Sequence, residues 1–120
     1  MQLQVNGLHV NLSENLLEHI DKRFRFALDR VESRVARVAV RIADLNGKSA
    51  GGAKECKVLV KLRTGDDLVL HEKGTELYDL VDRASEKTKR LVSKRIQKKR
   101  TIRRQEQTIL PGAFSEEEAE

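Results

Sequence analysis

A change of hydrophobic period is what most limits how this chain can fold. Cys56, Val58, Val60 and Leu62 point one way while Glu55, Lys57, Lys61 and Arg63 point the other, the alternation of a strand with one buried face. Further on the spacing changes: Leu77, Leu80, Val81, Ala84, Thr88, Leu91 and Val92 fall within a sector of about 120° when successive residues are set 100° apart. A half-wet sheet and a one-striped helix each need a partner layer, and each suits the other.

The other elements fit around this pair. Leu3 and Val5 alternate with Gln2, Gln4 and Asn6, which predicts a short first strand. Ser13 is a good N-cap, with Leu12 placed to staple against Leu17. From there Leu16, Leu17, Ile20, Phe24, Ala27, Leu28 and Val31 recur at helical steps, predicting an amphipathic helix of about five turns. Val38, Val40 and Ile42 give a second strand, Asp44 to Ala53 a loop, and Gly65-Asp66 a turn into a fourth strand at Leu68 to Glu72. The second helix is expected from Thr75 or Glu76 to about Arg104. The order is β-α-β-β-β-α, an α+β sandwich with a four-stranded sheet and both helices on one face. Residues 1–104 form the single domain; residues 105–120 are an acidic tail without a core pattern, expected to be disordered.

Charge is concentrated in the second helix. Between Arg83 and Arg104 lie eleven Lys or Arg residues and one acid, Glu86, a net +10 in a chain whose total is +5. Residues 1–82 cancel at thirteen charges of each sign, and residues 105–120 hold five acids and no base. Arg83, Lys87, Arg90, Lys94 and Lys98 share a sector of about 80° beside the apolar stripe. Solvated helix faces ordinarily mix signs at four-residue spacing; like-charge neighbours cost a few tenths of a kcal/mol each. An anionic partner relieves that cost, and the block is the footprint of a polyanion binder. With no Trp, one Tyr and three Phe, phosphate and shape contacts are favoured over base stacking.

Other features argue against enzymatic chemistry. Gly47-Lys48-Ser49 ends like a P-loop, but Ile42 stands where the motif's first Gly belongs and a strand follows instead of a helix. It reads as an ordinary hairpin loop in which Lys48 offers a phosphate contact. His9, His19 and His71 lack metal-ligand spacing, so no metal or cofactor is expected. Cys56 reads as a small core residue, and one Cys suits a reducing compartment. No apolar run reaches the roughly 20 residues of a membrane span, and no signal-peptide pattern opens the chain. The expectation is a cytoplasmic protein with no membrane or small-molecule partner.

Met1 to Gly7, the leucine-rich first helix, and Tyr78-Asp79-Leu80-Val81-Asp82 leading into the Lys/Arg helix together resemble the ribosome hibernation-promoting factors, a family that includes the ribosome-associated inhibitor A proteins. Many members open the second helix with a Tyr-x-x-Ile-Asp-like segment, matched here with Val for Ile. The resemblance covers residues 1–104. It implies binding to the small ribosomal subunit and its rRNA at the decoding region, occluding mRNA and tRNA in idle ribosomes. It carries rRNA contact onto Lys87, Arg90 and Lys94, with Arg83 and Lys98 extending the row and Lys22 of the first helix as a further candidate. Thr88 departs from the family in standing where an apolar residue is common, so looser packing is expected there. Only Glu76 remains of the acids often found before the Tyr, and the chain has no room for the long form's dimerisation domain, so a monomer is expected. The acidic tail is similar in composition to that of the inhibitor type. Two other readings stay open at this point: a general structured-RNA-binding domain, and a regulatory adaptor whose basic helix meets an acidic protein.

Overall fold

Period-two alternation produces four strands; the last three bury one side, while Leu3 and Val5 of the first are half-buried. In the computed structural model, residues 1–44 and 53–108 are described, with side chains through residue 98. The elements are β1 (Gln2–Leu8), α1 (Glu14–Ala27), a 3-10 turn (Asp29–Arg34), β2 (Val35–Asp44), β3 (Lys54–Leu62), β4 (Asp67–Gly74) and α2 (Leu77–Thr108). The expected loop with Lys48 and the acidic tail with Phe114 fall outside the described residues, apart from the loop's flanks and the helical backbone up to Thr108.

The sheet order is β1-β2-β3-β4. β1 runs parallel to β2 with α1 as the crossover, and β2, β3 and β4 form an antiparallel meander. The register aligns Leu3 with Val38, Val38 with Val60, and Val60 with Leu68. One layer further along, Val5, Val40, Val58 and Leu70 align in the same way. These two rows carpet the inner face, and both helices close over it. Leu16, Ile20 and Phe24 from α1 and Leu28 at its C-cap join Leu80, Val81, Ala84 and Val92 from α2 in a single buried cluster with Cys56 and the strand valines. Burying one such large side chain contributes about 1.5–3 kcal/mol.

Local chemistry sets the boundaries. Ser13 caps α1 as expected: its Oγ accepts the Leu16 N–H at 3.1 Å. The α-helix stops at Ala27, however, short of the Val31 that the periodicity includes. The Leu28 N–H still reaches the Phe24 carbonyl, but the Val31 N–H bonds to Leu28 three residues back, at 3.1 Å. A three-residue step suits a 3-10 turn as well as an α-helix, so Val31 stays packed against the core without extending α1. Gly65, at φ 101°, turns β3 into β4 in the left-handed conformation that a side chain resists. Thr88 is not loosely packed: it is wholly buried, and its hydroxyl donates to the Ala84 carbonyl at 2.8 Å. Leu91, counted in the apolar stripe, is 39% exposed at the edge of the sheet. No helix among the described residues is long and apolar enough to cross a membrane.

Candidate nucleic-acid interface

α2 starts where Glu76 accepts the Asp79 N–H through its side chain at 2.9 Å and the Leu80 N–H through its carbonyl, satisfying two first-turn donors. Its buried stripe ends with Val92 and Ile96. The helix continues to Thr108, so its last turns run beyond the sheet.

The Tyr78–Asp82 segment fastens α2 to α1. Tyr78 meets the His19 ring edge-on at 4.8 Å between centroids. Asp82 Oδ1 bonds His19 Nε2 at 2.7 Å and pairs with Arg23 Nε at 3.1 Å. Two residues one helical turn apart thus grip one histidine of the neighbouring helix, which gives this motif a structural purpose.

A second fastening divides the row of cations. Glu72, on β4, has a side chain only 12% exposed, and it takes Arg83 and Lys87 together, Lys87 Nζ lying 2.8 Å from Oε1. Arg83 also holds Asp79 at 3.0 Å and donates to the Lys73 carbonyl. A Cβ on Gly74 would collide with this guanidinium, so glycine keeps the space open. The Lys87 ammonium hydrogen-bonded to Glu72, with Arg83 beside it, holds the Glu72 carboxyl below its ordinary value, and the acid partners raise that of Arg83. Arg83 and Lys87 therefore anchor α2 to the sheet edge.

Arg90, Lys94 and Lys98 are different. All three are exposed and none has an ion-pair partner among the described residues. Arg90 and Lys94 rim an open hollow of about 560 Å³ between α2 and β4, with Leu70 and Leu91 in its lining. Lys22 lies exposed on α1 and has no ion-pair partner among the described residues. Lys89 and Phe26, outside the predicted row, line another hollow of about 430 Å³ with Arg30. Phe26 is 76% exposed; an aromatic standing off the Leu16-Ile20-Phe24 stripe was the available signal.

Cys56 is fully buried, and that burial, with Glu72 and then Glu55 nearby, pushes its thiol up to about 12. It serves the core. The fold and this surface together define a class: a small α+β domain that presents a one-sided basic helix, braced by acids at its root and, through Arg95 and Asp66, further along, with Arg90, Lys94 and Lys98 left unpaired among the described residues.

Residues 3–100 match the family described as Sigma 54 modulation protein / S30EA ribosomal protein, and the chain belongs to that family. Its fold is similar to that of a ribosomal subunit interface protein from Coxiella burnetii, with TM-score 0.67 at 21% identity over 81% of this chain and 99% of that one. It is also similar to the Protein Y N-terminal domain of Thermus thermophilus, with TM-score 0.64 at 17% identity over 78% and 98% of the two chains. No curated protein matches the chain by sequence.

Proposed function

We propose that this chain binds the small ribosomal subunit at its decoding region, seating the exposed α2 row on rRNA phosphates and occluding the path of mRNA and tRNA. The carrying observation is that Arg90, Lys94 and Lys98 stand on one exposed helix face without acidic partners among the described residues. Lys22 is a secondary contact, and Arg83 and Lys87 hold the helix in place while adding positive potential. Lys/Arg–phosphate contacts give affinity and orientation without bond chemistry. The protein acts as a monomer in the cytoplasm, by steric exclusion in idle ribosomes. Family membership supports the ribosome as target, as does the name of the Coxiella burnetii structure.

Co-sedimentation with separated ribosomal subunits across a salt series, with duplex RNA as competitor, tests this reading. Salt-sensitive binding to the small subunit that resists the competitor is expected, and Arg90→Glu with Lys94→Glu abolishes it while the domain stays folded. Binding that duplex RNA removes makes the chain a general RNA binder. Binding insensitive to salt makes it an adaptor for a protein partner.

A further inference from the structure

The sheet face turned away from the helices carries a second charge imbalance. The register sets Arg37 opposite Lys61 and Arg41 opposite Lys57. All four alternate along their strands with the buried Val38, Val40, Val58 and Val60, so they stand on the open face. Like charges directly across an antiparallel pair destabilise a sheet, and β2 and β3 carry that arrangement twice. Lys61 reaches Asp67 at 3.7 Å, and Glu55 is engaged by His71 at 2.9 Å. Arg37, Arg41 and Lys57 have no ion-pair partner among the described residues.

Between the two charged rows lies a neutral one, Ala39 opposite Leu59 and Leu59 opposite Val69. Four residues of strand separate Arg37 from Arg41, about 13 Å at 3.3 Å per residue. No Phe, Tyr or Trp occurs in β2, β3 or β4, and the one ring on their open face, His71, is engaged with Glu55, which favours phosphate contacts over base stacking. A flat surface of spaced cations with a neutral ridge suits the sugar-phosphate backbone of a duplex.

We propose that this open face is a second RNA-backbone surface, so that the domain bridges two RNA segments, one on the sheet and one on α2. The sheet site stands independently of the ribosome reading, whereas the bridging rests on α2 binding RNA. α2 packs on the inner face of the sheet, and its row reaches the open face only at the β4 edge, where His71 lines the hollow that Arg90 and Lys94 rim.

Three variants of the full chain and a duplex of about 20 base pairs separate the possibilities. The sheet variant carries Arg37→Gln, Arg41→Gln and Lys57→Gln; the helix variant carries Arg90→Gln, Lys94→Gln and Lys98→Gln; the third combines them. The helix variant is expected to keep duplex binding, with a log K against log salt slope of about −2 to −3. Adding the sheet changes lowers that affinity at least about tenfold, since each lost phosphate contact removes about one unit of slope. Wild type, held on immobilised small subunits through α2, captures the labelled duplex, and the sheet variant does not. The sheet variant melts no lower than wild type, because two like-charge pairs are gone; if the triple change unfolds the domain, Arg41→Gln with Lys57→Gln replaces it. Equal duplex binding by the helix variant and the combined variant overturns the sheet site, and co-capture by the sheet variant overturns the bridging. If the helix variant still sediments with small subunits in excess duplex, which occupies the sheet, the ribosome reading through α2 fails, and the duplex measurements decide the sheet site on their own.

Discussion

Replacing Glu72 by Gln separates what holds α2 from what binds, because stability and affinity should move in opposite directions. The Glu72 side chain is 12% exposed and meets Lys87 at 2.8 Å, with Arg83 on its other side. Those partners are 49% and 41% exposed, so they regain water when the carboxylate goes. That rules out the roughly 3–5 kcal/mol lost when one partner of a fully buried pair is deleted. The loss is closer to that of a charge-assisted hydrogen bond, about 2 kcal/mol, or a Tm lower by about 6–12 °C for a domain of this size. Binding changes the other way. Arg83 keeps Asp79, while Lys87 is released into the exposed row, so the small-subunit salt slope should steepen by about one unit. Thermal unfolding followed by circular dichroism, with co-sedimentation across salt, reads both effects. An unchanged Tm would refute the anchoring, and weaker binding by a folded variant would refute the division of the row.

The same carboxylate predicts a pH dependence. Glu72 titrates below its ordinary value in the folded chain, so the folded state binds fewer protons, and its contribution is complete above that ordinary value and lost as pH falls through the lowered one. The Tm gap between wild type and Glu72→Gln should therefore narrow from about pH 6 to about pH 3, and a constant gap would contradict the linkage. Phe24 is wholly buried, and Phe24→Ala should cost about 3–5 kcal/mol, read as a lower urea midpoint. Cys56, with its thiol pushed up to about 12, should resist a thiol reagent at neutral pH until the chain is unfolded in urea; prompt labelling of the native protein would contradict its place in the core.

Periodicity made the strands and the buried helix faces legible, because one sheet face must be dry and the residue spacing says which. It could not end α1, since the step from Leu28 to Val31 fits either kind of turn. The helical angle placed the five cations of α2 on one side, but it could not say which of them acids from other elements would claim. Glu72 precedes Arg83 by 11 residues and meets it only because β4 runs alongside α2. Asp82 likewise finds His19 across 63 residues of sequence. The like-charge pairs on the open face needed the register of β2 against β3, which a one-residue slip would erase.

Electron cryo-microscopy of the chain bound to small ribosomal subunits tests the central claim most directly. The account predicts α2 in the decoding region, with Arg90, Lys94 and Lys98 against rRNA phosphates in the path of mRNA and tRNA. Density at a site away from that region, or an α2 row turned toward solvent, would contradict it.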